Sequence, residues 1–99
     1  MKKVCVFLAD GFEEIEGLAV IDLLRRAKIY VDTISITDDY MVHGAHGINV
    51  QTEALFDEVD FSEFDMVVLP GGMPGTLNLN DHAGVRHVVR KYADEGRFV

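Results

Sequence analysis

The amino-acid sequence predicts an α/β protein built on a flavodoxin-like, doubly wound and mostly parallel sheet. Three observations carry that prediction. Two apolar runs, KVCVFLA from Lys3 and MVVLP from Met66, lack the alternation of a half-exposed strand and suit strands buried on both faces. Between the first run and a second strand at 29–37 lies a helix-length segment with apolar residues about three positions apart. The connections around it are short, giving a β-α-β unit whose crossover is right-handed.

Each element has its own signal. Asp10-Gly11 ends the first strand, and Glu13 to Ala27 turns helical, with Ile15, Leu18, Ile21 and Leu24 as the expected apolar face. Acidic residues open this helix and Arg25, Arg26 and Lys28 close it, each matching the helix dipole. Lys28 stands in the turn after the helix, where a positive φ would be costly for a non-glycine residue. Val31, Thr33, Ile34 and Ile36 mark the second strand. Met41 to Gly44 and Ile48 to Gln51 can pair as a small hairpin across Gly44-Ala45-His46-Gly47. Thr52 to Asp65 is acidic and reads as irregular chain or a short helical turn. After MVVLP the segment GGMPG breaks regular structure. Asn80 or Asp81 is then expected to cap a helix running to about Glu95, with Val85, Val88, Val89 and Tyr92 inward and Gly96 as its stop. Arg97-Phe98-Val99 reads as the opening of one more strand, so residues 1–99 are expected to be a single, incomplete domain.

Bulk composition bounds the function. Nine basic against seventeen acidic residues give a net charge of −8, which argues against a phosphate-tracking nucleic-acid surface and against docking on anionic lipid. No apolar run approaches the length of a membrane span, and no secretory leader is visible. A single cysteine, Cys5, cannot form an internal disulfide, so a reducing cytoplasmic setting is expected.

In a doubly wound sheet, ligands bind outside the carboxyl ends of the strands where the winding reverses. Those ends are Ala9-Asp10-Gly11-Phe12 and Pro70-Gly71-Gly72, which should therefore meet. Glu13, Glu14 and Glu16 follow the first of them. For Glu13 and Glu14 the reading is a helix start, favoured by the dipole. Glu16 stands one turn in, beside Gly17, and two readings stay open: another helix-start carboxylate, or a crevice-facing group that partial burial turns into a proton donor. Gly71-Gly72 is either a tight strand exit or a pair of free backbone N–H groups suited to an oxyanion. It is neither a Walker loop nor a dinucleotide fingerprint. Cys5, in mid-strand, reads as a core thiol. His43 and His46 lie in the glycine-containing loop, but a metal site needs further ligands that the sequence does not place, so no metal and no cofactor are expected. A receiver-type phosphoacceptor is excluded because Leu69-Pro70-Gly71 stands where the acceptor aspartate would be.

LADGFEEIEG with the helix DLLRRA, then HGINV, then VVLPGGMPGTLNL, together resemble the ThiJ/PfpI superfamily, in the small single-domain branch that includes the Parkinson disease protein. The resemblance runs along the whole chain. It implies a dimeric flavodoxin-like sandwich with a reactive cysteine on a strained turn after the next strand, a strand expected beyond Val99. It implies that Glu16 is the protonated glutamate hydrogen-bonded to that sulfur and that Gly71 and Gly72 form the backbone oxyanion site. Asp10, Gly11 and His46 would line the pocket. Family activities then expected are glutathione-independent conversion of methylglyoxal to lactate and deglycation of early glycated amines, with a small aldehyde or glycated adduct as substrate. The alternatives are an oxidative-stress sensor, a chaperone-like holding protein, or a strand-exchanging fragment without activity.

Overall fold

The computed structural model describes residues 2–97 and 99. Its elements are β1 (Lys3–Leu8), α1 (Glu14–Arg26), β2 (Tyr30–Ser35), β3 (Met41–His43), β4 (Asn49–Gln51), β5 (Ala54–Leu55), β6 (Met66–Val68), α2 (Gly75–Asp81) and α3 (Ala83–Asp94). Four parallel strands form one sheet in the order β5-β2-β1-β6, and β3 and β4 form a separate antiparallel hairpin. The α/β, doubly wound expectation holds, including the adjacency of β1 and β6 that defines the point where the winding reverses.

The lack of alternation in KVCVFLA has a direct explanation. Side chains of β1 still alternate in direction, but both faces are covered. Cys5, Phe7 and Ala9 join Val67, Val85, Val88 and Tyr92 on one side. Val4, Val6 and Leu8 join Phe12, Ile21, Val31 and Val42 on the other. The Tyr92 hydroxyl donates to the Phe64 carbonyl at 2.9 Å, tying α3 to the chain that leads into β6.

Two local readings need correction. On α1 the buried stripe is Glu14, Gly17 and Ile21, whereas Ile15 is 78% exposed and Leu18 is exposed as well. Ile21 and Leu24 do pack against the core, but hydropathy misplaces the first turns because their inward line carries a carboxylate and a glycine; Gly17 is where the Phe12 ring comes close, 3.1 Å from a hypothetical Cβ. The single helix expected from Asn80 or Asp81 is instead two. Chain after GGMPG coils at once into α2, and the break falls at His82, whose Nδ1 accepts from the Val85 N–H at 3.0 Å and so caps α3. Two asparagines and a glycine hide α2 from propensity, and histidine is not a customary cap. Within 52–65, a two-residue strand pairs with β2 and is followed by two turns of 3₁₀ helix. The strand expected at Arg97-Phe98-Val99 includes Phe98, outside the described residues; neither Arg97 nor Val99 is in a strand.

Lys28 adopts φ 64. The Lys28 N–H donates to the Arg25 carbonyl at 3.1 Å and the Ile29 N–H to Leu24 at 3.0 Å, closing α1 through a left-handed residue at a place that favours glycine. Lys28→Gly relieves that strain at some cost in unfolded-chain entropy, and a net gain of about 0.5 kcal/mol is expected. A higher urea midpoint at unchanged slope is the check; a lower midpoint would mean that the lysine side chain contributes more than its backbone costs.

Candidate active site

The carboxyl ends of β1 and β6 are laced together by their backbones. The Glu13 N–H donates to the Gly71 carbonyl at 2.8 Å and the Gly75 N–H to the Gly11 carbonyl at 3.0 Å. The Asn78 side-chain amide donates to the Asp10 carbonyl at 2.7 Å. Such close approach requires glycine: Gly11 has φ 86 and Gly72 φ 106, and a Cβ on either would collide with the opposite loop. The expectation that these two segments meet is met.

Glu16 leans from the first turn of α1 over this junction. Its Oε2 lies 2.8 Å from where a Gly71 Cβ would stand, so only glycine lets the carboxylate come so near the β6 exit. The Glu16 side chain is exposed. Among the described residues the N–H groups of Gly71 and Gly72 have no hydrogen-bond acceptor. One carboxylate and two unpaired donors thus share one corner of the molecule. A groove of about 570 Å³ borders that corner between the exit of β6 and helices α2 and α3, lined by Leu69, Pro70, Gly71, Leu79, Val85 and Val89 among others.

Asp10, Gly11 and His46 are placed differently. Asp10 accepts the His43 N–H at 3.0 Å through Oδ1, and the Gly11 N–H donates to the His43 carbonyl at 2.7 Å, so both anchor the hairpin. Asp10 also borders a polar cleft of about 340 Å³ with Thr37, Asn78, Asp81 and His82. Among the described residues the polar partners of His46 are Glu13 and Glu14, not Glu16.

Glu14 is the residue that sequence reasoning undervalued. Glu13 is the helix cap, its Oε1 accepting the Ile15 N–H at 2.9 Å, as a helix-start residue should. Glu14 is 2% exposed, and its carboxylate accepts from the His46 N–H at 2.7 Å, the Ile48 N–H at 3.2 Å and His46 Nδ1 at 2.9 Å. Burial works against its charge, but the His46 side chain and the N–H groups of Glu14, His46 and Ile48 outweigh it and hold the pKa down at about 2. The bond to Glu14, then the charges of Glu14 and Glu13, push the His46 pKa up against partial burial. A Cβ on Gly44 would fall on the Glu14 carboxylate, so the turn closes over it only as glycine. The legible signal was the spacing Glu14, Gly17, Ile21, which is a helical stripe with a carboxylate in line.

Cys5 is fully buried, and burial, followed by the Asp32 charge, pushes its thiol up to about 12 against a backbone hydrogen bond. It is no nucleophile at neutral pH. No helix among the described residues is long and apolar enough to cross a membrane.

Residues 2–99 match the DJ-1/PfpI family model. A deglycase from Thermococcus kodakarensis is 34% identical, with 98% of this chain and 57% of the relative covered. The glutathione-independent glyoxalase DJ-1 of Schizosaccharomyces pombe is 30% identical, with 93% and 52% covered. Among solved structures, oxidized Toxoplasma gondii DJ-1 superposes with a TM-score of 0.94 at 33% identity, over 98% of this chain and 53% of that one. The chain therefore spans about half the length of these relatives. With the model match running nearly end to end and the fold superposing on solved relatives, the chain belongs to the DJ-1/PfpI family.

Proposed function

We propose that the chain is the amino-terminal part of a cysteine-dependent glyoxalase or deglycase acting on methylglyoxal or early glycation adducts. The observation that supports it is the placement of the Glu16 carboxylate against Gly71, where the N–H groups of Gly71 and its neighbour Gly72 are unpaired among the described residues. In this reading a thiolate lying beyond Val99 adds to the aldehyde carbon, forming a C–S bond and pushing the carbonyl electron pair onto oxygen. Gly71 and Gly72 N–H groups hold that oxyanion. Glu16 protonates it, giving a hemithioacetal; as the carboxylate it then takes the carbon-bound proton while the ketone oxygen gains one. The resulting enediol is reprotonated at the former ketone carbon as the first hydroxyl loses its proton, leaving a lactoyl thioester that water cleaves to lactate and the free thiol. Asp10 and Gly11 hold the hairpin that carries His46 beside this corner. Relatives named as a deglycase and as a glutathione-independent glyoxalase support the class of chemistry. The chemically inert Cys5 leaves the nucleophile to the length of the fold that this chain does not span.

A second reading, a stress-responsive or holding role in a homodimer, has its own support. Ile15, Leu18 and Leu23 stand exposed on α1, an apolar surface suited to a second copy or a client. A cytoplasmic setting goes with both readings, given the lone reduced cysteine. The deciding experiment incubates the intact protein, its mass measured, with methylglyoxal and follows aldehyde loss and lactate together. Equal amounts of both support the enzyme. Aldehyde loss without lactate is mere adduct formation and overturns it.

A further inference from the structure

We propose that Glu13, Glu14 and His46 form a binding site for a borderline divalent transition ion, for which Zn²⁺ is the natural probe. It does not rest on the glyoxalase reading. The sequence offers His46 with no further ligands; the fold supplies them by laying the hairpin turn across the first turn of α1. Glu13 Oε2, Glu14 Oε1 and His46 Nδ1 lie within 4.8 Å of one another. The ring nitrogen is 2.9 Å from Glu14 Oε1 and 3.6 Å from Glu13 Oε2. Donors bound tetrahedrally at about 2.0–2.2 Å stand roughly 3.3–3.6 Å apart, so these separations bracket what one ion needs.

How the carboxylate oxygens are divided strengthens the case. Glu14 commits Oε2 to the backbone N–H groups of His46 and Ile48 and presents Oε1 to the ring. Glu13 commits Oε1 to the Ile15 N–H and presents Oε2 beyond hydrogen-bond distance. Each carboxylate is thus oriented by backbone donors on its outer oxygen, the role that outer-shell partners play around bound metals. The inner oxygens of Glu13 and Glu14 converge on the same ring nitrogen of His46, and a bound ion would take the place of the ring proton between them. The His46 side chain is 68% exposed, so the ion can enter and keep a water at its open position. One imidazole with two carboxylates selects zinc, cobalt or nickel over calcium and magnesium, which favour all-oxygen sites, and over copper(I), which favours sulfur.

The test titrates the protein with Zn²⁺ by calorimetry in a non-chelating buffer and repeats it with Co²⁺, reading the visible absorption of the bound ion. Saturable binding of one ion per chain is expected, with His46→Ala and Glu13→Gln each weakening it by about tenfold or more. Glu13→Gln keeps an oxygen for the helix cap, so its fold is preserved; circular dichroism verifies this. His43→Ala, outside the triad, is expected to leave the affinity unchanged. The proposal is overturned by the absence of saturable binding, by a Glu13→Gln protein that binds as the wild type does, or by an equal loss in His43→Ala.

Discussion

Gly72→Ala is expected to destabilise the protein by about 3 kcal/mol or more, while Gly47→Ala costs only about 1 kcal/mol. Both glycines have positive φ, 106 for Gly72 and 80 for Gly47, so both substitutions pay for backbone strain. They differ in what surrounds them. Around Gly47 nothing stands within 4 Å of the added carbon. At Gly72 the new Cβ falls on the Glu13 backbone nitrogen and lies 2.9 Å from the Phe12 carbonyl carbon and 3.0 Å from the Gly11 oxygen. These are backbone atoms that cannot rotate away. Relief would have to part the β1 and β6 exits, breaking the Glu13 N–H to Gly71 bond that joins them. In a domain of this size the difference separates the two melting temperatures by about 8 °C or more. Urea unfolding of both variants measures it, and equal losses would mean that the two loops do not approach as closely in solution as the structure has them.

The same residues show what the sequence could and could not reveal. The parallel sheet was legible because β1 is apolar on both faces, and that double burial leaves a run such as KVCVFLA. The meeting of Gly11 with Gly72 was legible from topology alone, since β1 and β6 are neighbours in a doubly wound sheet. The orientation of α1 was not. Period is visible in hydropathy, but phase is not when the inward line includes Glu14 and Gly17 and the outward one includes Ile15 and Leu18. Glu14 was hidden for a related reason: a carboxylate in a first turn is satisfied by the dipole whichever way it points. Only the return of Gly44 to Ile48, more than thirty positions later, makes it a buried acceptor of three hydrogen bonds. That contact is long-range and polar, and no local pattern encodes it.

Glu16→Gln is expected to lower the methylglyoxal kcat/KM of the intact protein by about 10²–10⁴, the range for loss of a positioned acid–base group. In barrier height that is about 2.7–5.5 kcal/mol. Stability should hardly change, within about 0.5 kcal/mol, because the side chain is exposed and has no hydrogen bond among the described residues. The amide keeps the size of the acid and can still donate to sulfur, but cannot carry a proton between carbon and oxygen. Glu16→Ala removes both abilities, so comparing the two divides the loss between holding the sulfur and moving the proton. Thiol alkylation rates, measured alongside turnover, read the first part: a rate that falls in Glu16→Ala and is largely kept in Glu16→Gln assigns that share to the hydrogen bond. Glu14→Gln is a poor substitute for this experiment, since it disturbs the turn that closes over α1. If Glu16→Gln retains turnover near that of the wild type, proton transfer belongs to another group and the glyoxalase assignment of Glu16 falls. If turnover collapses while suppression of client aggregation persists, catalysis and holding use different surfaces, and the exposed face of α1 around Ile15 and Leu18 becomes the place to find the second.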